Sequence, residues 1–353
     1  MKVEQNFARL DRVKEYYGKT LKTNRDLKTS ACCTIDSIPP ALWEILKEIH
    51  PEVIEKFYGC GSPIPSALAG LTVLDLGSGS GRDCFLLSKL VGPSGRVIGI
   101  DMTDEQIAVA QRHVDYHRKK FGFREPNVTF IKGYIEDLRG AGIKDDSIDL
   151  VVSNCVVNLS PSKERVFSEI FRVLKPGGEL YFSDVFAGRR IPKNLVQNPV
   201  FVGECLGGAL YTEDFRRLLG GLGCSDHRLT ACTRIALKSA ELKRATGMID
   251  FYSMTVRAFK LALEDRCEDY GQAAIYLGGV AEFPDAFFLD DHHTFERGRA
   301  IPVCGNTAMM LQNTRYGRYF KIIGDMTIHF GLFDCREPAS ILKSHAITNG
   351  PCC

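Results

Sequence analysis

Apolar residues recur at three- and four-residue spacing near the start of the chain, where Phe7, Leu10, Val13 and Tyr17 fall on one helical stripe. A second such stretch runs from Pro40 to Tyr58 and stops at Gly59–Cys60–Gly61–Ser62–Pro63, a cluster that breaks helices. Residues 1–70 therefore read as a helical segment. At Leu71 the period changes. The short apolar runs Thr72–Leu76, Arg96–Ile100, Val128–Gly133, Ile148–Asn154 and Glu179–Val185 alternate with helical stretches such as Asp104–Phe121 and Lys163–Leu174. Continuous apolar strands between helices predict a doubly wound, mostly parallel α/β sheet over residues 71–235, covered on both faces. Beyond it the regularity weakens. Met248–Ala262 reads as a helix, Gln272–Leu277 and Lys321–Phe333 as strands, and Phe283–Phe295 as mixed, which predicts a smaller α+β domain over 236–340. Residues 341–353 read as a tail ending in Cys352 and Cys353.

A length of 353 residues suits about two domains. A formal net charge of +2 gives no sign of a nucleic-acid groove or a membrane-binding patch. There is no apolar run of transmembrane length and no apolar core of signal-peptide type at the N-terminus, so a cytoplasmic, monomeric protein without membrane or nucleic-acid partners is expected. The chain carries 13 cysteines, an odd number. In a reducing compartment these are mostly free thiols, and a disulfide framework is not expected.

Val73–Leu74–Asp75–Leu76–Gly77–Ser78–Gly79–Ser80–Gly81 ends the first apolar strand in a glycine-rich turn that lets the backbone approach a ligand closely. A nicotinamide enzyme carries G-x-G-x-x-G there, whereas this loop is G-x-G-x-G with Asp75 ahead of it. Val97–Ile98–Gly99–Ile100–Asp101 is a strand ending in an acid that can accept ribose hydroxyls. Gly133–Tyr134–Ile135–Glu136 follows the third strand, Asp149–Asn154 forms the fourth, and Leu174–Lys175–Pro176–Gly177–Gly178–Glu179–Leu180 turns a helix into the fifth. This ordered set resembles the class I S-adenosylmethionine methyltransferases, whose sheet is Rossmann-like. The resemblance implies a cofactor site formed by Asp75, Gly77, Ser78, Gly79, Gly81, Asp101, Met102, Ile135, Glu136 and Asn154.

Four cysteines fall where a ligand can be reached: Cys32, Cys60, Cys155 at the end of the fourth strand, and Cys205 in Gly203–Glu204–Cys205–Leu206–Gly207–Gly208. None form C-x-x-C pairs, so the usual zinc and redox spacings are absent. The runs Tyr16–Tyr17–Gly18, Tyr58–Gly59–Cys60–Gly61, Arg82–Asp83–Cys84, Val152–Ser153–Asn154–Cys155–Val156, Ser183–Asp184–Val185 and Gly203–Tyr211 closely resemble the arsenite methyltransferases over residues 16–235. The cysteine-centred runs are the specific ones. The resemblance implies that Cys60, Cys155 and Cys205 hold trivalent arsenic, and that Cys32, or its neighbour Cys33, joins the thiol chemistry. It also implies arsenite or an arsenic–glutathione conjugate as substrate, and glutathione or thioredoxin as reductant.

Trivalent arsenic is soft and prefers thiolates over hard oxygen ligands. Three thiolates leave its lone pair free to take a methyl group, so no acid–base residue is required, and no convincing Ser/His/Asp set is present. Cys84 is expected to pack at a helix start, and Cys224, Cys232, Cys267, Cys304 and Cys335 to be inert. His113 and His117 are expected on a partly exposed helix face, and Asp290–Asp291–His292–His293 as an ordinary loop rather than a metal site. Two other readings compete. A methyltransferase acting on carbon, oxygen or nitrogen matches the core motifs but leaves the cysteines unexplained. A catalytically dead, metalloid-sequestering protein does not need the intact glycine loop, Asp101 and Glu136.

Overall fold

The computed structural model describes residues 40–57, 59, 63–196, 201, 206–237 and 240–335, with Leu10 and Lys14 ahead of them. Cys32, Cys33, Cys60, Cys205, Cys352 and Cys353 lie outside the described residues, as does most of the Phe7–Tyr17 stripe.

Where one helix was expected over Pro40–Tyr58 there are two, α1 (Pro40–Leu46) and α2 (Pro51–Glu55). The break follows from Pro51. A residue before proline is pushed out of the helical region, and His50 sits at ψ 135°. Pro51 itself opens α2, where its missing N–H costs nothing, and the His50 ring caps the helix by accepting from the Glu52 N–H at 3.2 Å.

The strands β1 (Thr72–Leu76), β2 (Arg96–Asp101), β3 (Val128–Lys132), β4 (Ile148–Asn154) and β5 (Leu174–Ala187) run parallel in the order β3-β2-β1-β4-β5. Between them lie α3 (Arg82–Val91), α4 (Asp104–Arg112), α5 (Val114–Lys120) and α6 (Lys163–Val173). Period-two alternation splits each strand between two cores. Leu74 and Leu76 pack with Val166, Phe167 and Ile170 of α6 on one face, and Val73 packs with Phe85, Leu86 and Val109 on the other. The stretch Asp104–Phe121 is thus two helices that break at His113. His113 and His117 are buried, contrary to the exposed face expected of them, because α2 lies over them. His117 stacks on Phe85 at 3.6 Å and accepts from the His50 N–H at 3.2 Å.

After β5 come α7 (Lys193–Val196), β6 (Leu210–Tyr211), α8 (Thr212–Gly221), β7 (His227–Arg234), α9 (Ala240–Thr246) and β8 (Phe251–Phe259). Met248–Ala262, read from sequence as a helix, holds β8 instead, which pairs antiparallel with β5 and with β7. The reason is a second periodicity in the same residues: Met254, Val256 and Ala258 fall two apart on the face toward α6 and α8. The main sheet therefore reaches past residue 235. The remaining strands are β9 (Glu268–Asp269), β10 (Gln272–Tyr276), β11 (Ala286–Phe288), β12 (Thr294–Glu296), β13 (Ala300–Val303), β14 (Phe320–Ile323) and β15 (Gly331–Leu332), with α10 (Gly305–Gln312) among them. β10 lies between β13 and β14 over a core of Tyr276, Phe287, Phe295, Tyr316 and Phe320. The single strand expected over Lys321–Phe333 is β14 and β15, in separate sheets.

Candidate active site

The strand order reverses at β1, whose neighbours are β2 and β4, and the loops after β1 and β4 diverge there. A cleft opens at these strand ends, the place where open α/β sheets bind ligands. The loop after β1 is folded onto β2, with the N–H groups of Gly77 and Ser78 donating to the Ile100 carbonyl at 2.7 and 2.9 Å. Gly77 has φ +69°, and a Cβ there would lie 2.4 Å from Val156, so no other residue fits.

Of the residues expected to hold a cofactor, Asp75, Gly77, Ser78, Gly79, Asp101, Met102, Ile135, Glu136 and Asn154 line this cleft. Gly81 does not. It caps the N-terminus of α3 with its Cα against the Phe130 ring. Asp101 accepts from the N–H groups of Gly79 at 2.9 Å and Thr103 at 2.8 Å, and burial raises its pKa. Burial, together with the neighbouring Asp83, pushes Asp75 up to about 8, and the Cys84 thiol donates to it at 3.2 Å. Cys84 packs at the start of α3 as expected, and it also steadies a cleft carboxylate. Glu136 accepts from the Ser160 hydroxyl at 2.5 Å.

Cys155 lines the same cleft. Its backbone is left-handed, φ +57°, and its N–H donates to the Ser183 carbonyl at 2.8 Å. A non-glycine residue held there costs about 1–3 kcal/mol, a type of strain that concentrates at functional sites. Behind it, Asp184 accepts from the N–H and side-chain amide of Asn158 at 3.0 and 2.7 Å and anchors the turn after Cys155. Cys155 and Cys267 are each engaged in a disulfide, which corrects the expectation of free thiols at both positions. Among the described residues Cys84, Cys224, Cys232 and Cys304 carry free thiols. Cys224 is pushed up to about 12 by burial and is inert as a nucleophile. At Asp290–His293, Asp290 pairs with Arg228 at 3.2 Å and with His293 at 2.8 Å.

Several cleft residues escaped the sequence reading. Asp83 accepts from Asn154 at 3.0 Å and pairs with Arg82, whose guanidinium lies 3.1 Å from the Phe57 ring centroid. Asp83 stands in the Arg82–Asp83–Cys84 run and was in reach of that reading. Ser160 and Phe57 carry no sequence signal, because their roles depend on Glu136 and Arg82 across the fold.

The cleft suits an adenosyl cofactor. Carboxylates end β2 and follow β3, Met102, Ile135 and Leu159 supply apolar walls, and the buried Ser78 hydroxyl has no hydrogen-bond partner among the described residues. At Gly79 a Cβ would meet nothing nearer than 4.0 Å, which leaves the backbone open to a ligand.

A family described as a methyltransferase domain matches residues 68–222, and a domain of unknown function matches residues 263–340. The arsenite methyltransferase of Aquipseudomonas alcaligenes is 52% identical over 97% of this chain and 99% of its own. The chain belongs to the arsenite methyltransferase family. The human arsenite methyltransferase is 45% identical over 88% of this chain and 82% of its own. The solved arsenic(III) S-adenosylmethionine methyltransferase of Chlamydomonas reinhardtii superposes with a TM-score of 0.82 at 49% identity, covering 84% of this chain and all of that one. The class I methyltransferase fold of this family member accords with its sheet order. Among the described residues no helix is long and apolar enough to cross a membrane.

Asp101→Ala removes the carboxylate expected to accept ribose hydroxyls and also frees the Gly79 and Thr103 N–H groups. It is expected to weaken binding of S-adenosylhomocysteine about tenfold to a hundredfold, roughly 1.4–2.8 kcal/mol. Calorimetry checks this, and wild-type affinity would remove Asp101 from the site.

Proposed function

We propose that this protein transfers methyl groups from S-adenosylmethionine to trivalent arsenic held by the thiolates of Cys60, Cys155 and Cys205. The observation that carries the reading is Cys155, held in a strained conformation in the wall of the cleft that Asp101 and Glu136 also line. When bound, S-adenosylmethionine supplies a methyl group on a sulfonium. Asp101 would take the ribose hydroxyls, Glu136, steadied by Ser160, the adenine end, and Asp75 the amino-acid end. The thiolates fix the arsenic and leave its lone pair facing the methyl group, so catalysis is chiefly alignment and exclusion of water. No residue has to move a proton for the transfer.

The thiols need a reductant, and the bonded state of Cys155 supports this part of the reading. Two electrons from glutathione or thioredoxin open that disulfide to two thiols, the donor leaving as its own disulfide. Cys32 and Cys60 would serve a separate stage, closing to a disulfide as they recover trivalent product. The chain divides, in this reading, into an N-terminal segment to about residue 70, the sheet domain through β8, and the α+β unit beyond it. The test is incubation with labelled S-adenosylmethionine, glutathione and arsenite. Methylated arsenic is expected, and label appearing only on a carbon, oxygen or nitrogen acceptor would overturn the proposal.

Asp75 gives the cofactor a pH signature. Its pKa, about 8, lies above its ordinary value of 3.8, so the buried acid is neutral at pH 7. The stability this confers is complete below about pH 4 and is lost as pH rises through 8. A cationic amino group beside Asp75 favours the carboxylate. Binding at pH 7 is therefore expected to release a proton, and affinity to rise with pH until about 8. Calorimetry in two buffers of different ionisation enthalpy measures the release, and Asp75→Asn abolishes it.

A further inference from the structure

Outside the cleft, two groups of described side chains gather metal-ligand chemistry without a thiol: Asp290, Asp291 and His292, of which the last two are exposed, and the more enclosed His50, Glu52 and His113. α2 lies across the junction of α4 and α5 and brings His50 and Glu52 against His113. One ring nitrogen from each histidine and one carboxylate oxygen of Glu52 all lie within 4.8 Å of one another. The His113 Nε2–Glu52 Oε2 distance is 2.7 Å. His113 is buried, and the other two are half-buried, which leaves an open side toward solvent.

We propose that His50, Glu52 and His113 form a site for a zinc-class divalent cation, separate from the arsenic thiols. Two imidazoles and a carboxylate make a three-ligand zinc set with the fourth position left to water. Calcium and magnesium prefer oxygen ligands throughout, and soft centres prefer thiolates, so this set selects against both. Glu52 also meets Arg112 at 3.0 Å and Lys56 at 3.6 Å. These are partly exposed pairs, and displacing them costs little. The two rings stack at 3.8 Å with 22° between planes, so their nitrogens lie side by side rather than around a point. An entering ion turns His50 out of that stack.

This movement has a route to the cleft. His50 caps α2, the Val53 carbonyl of α2 accepts from the Ser80 hydroxyl at 2.9 Å, and the chain runs on to Lys56, Phe57 and Gly59 in the cleft wall. A cation at α2 thus grips the element that leads to Cys60.

The test is a titration of the full-length, reduced, arsenite-loaded protein with Co²⁺, followed by absorption and proton NMR, and with Zn²⁺ by calorimetry. The expected signature is weak visible bands without sulfur-to-cobalt charge transfer, with two hyperfine-shifted imidazole N–H resonances. His50→Gln, His113→Gln and Glu52→Gln should each weaken Zn²⁺ binding at least about tenfold, while His292→Gln leaves it unchanged. Circular dichroism confirms that each variant is folded. If a variant fails to fold, the two imidazole resonances of the wild-type protein decide. No binding, or binding seen only through thiolate charge transfer, overturns the proposal. Thiolate bands would also show where arsenite had failed to occupy the cysteines, so the two readings fail separately.

Discussion

Cys155→Ser is expected to bind S-adenosylhomocysteine with near wild-type affinity and to methylate neither arsenite nor monomethylated arsenic. The proposed cofactor contacts Asp75, Asp101 and Glu136 line the cleft and are left in place by the substitution. Serine also suits the backbone no worse than cysteine at φ +57°. What is lost is the ligand. A hydroxyl is hard and un-ionised at neutral pH and cannot replace a soft thiolate. Removing a ligand that positions the reacting atom forfeits alignment, and the fall in turnover is expected to exceed about a thousandfold. Cys205→Ser should behave alike, because a monomethylated centre has one valence filled by carbon and needs both remaining thiolates. Cys32→Ser and Cys60→Ser are expected to stop arsenite methylation but keep measurable turnover of the monomethylated form. Assaying the four variants on both substrates, with glutathione and thioredoxin supplied, checks the division. Near-normal turnover in Cys155→Ser would remove it from the ligand set, and parallel loss in all four would end the separate stages.

The largest expected effect on stability comes from Glu179. This β5 residue is 0% exposed, and its carboxylate takes Arg257 Nε at 2.5 Å and an N–H of Arg315. Arg257 reaches on to the Leu289 carbonyl and, at 3.1 Å, to Tyr316. Arg315 donates to the Ser66 carbonyl at 3.2 Å. One carboxylate thus neutralises two guanidinium groups where the main sheet meets the C-terminal unit. Glu179→Leu leaves both cations without their counter-charge, at a cost of about 3–5 kcal/mol. Its Tm is expected to fall by roughly 5–15 °C. Scanning calorimetry and urea titration measure this. A fall of only a degree or two would show that water or Tyr316 compensates. The cofactor affinity of folded Glu179→Leu should stay near wild type, since none of these groups lines the cleft.

Much of the sheet was legible from the chain alone, because its evidence is local. β4 begins and ends at the residues read from the apolar run Ile148–Asn154, and β1 does the same at Thr72–Leu76. A parallel strand buried on both faces needs a continuous apolar run, and a glycine turn must follow where a ligand lies close. Both demands are written in consecutive residues. The cleft residues Asp75, Asp101 and Glu136 were legible for the same reason, standing at strand ends or just past them. Gly81 was not, since a glycine in such a run serves either a ligand or a neighbouring ring, and only Phe130 decides which. β8 was misread because Met248–Ala262 carries helical and strand periods together, and pairing with β5 selects between them. The burial of His113 and His117 depends on α2, some sixty residues earlier in the chain. The same holds for Ser160 with Glu136 and for Arg257 and Arg315 with Glu179. Sequence determined which residues can form strands, turns and thiol ligands, because covalent neighbours set those preferences. Only the tertiary structure decided which side chains meet, because a buried charge or ring takes its partner from whatever the fold brings alongside it.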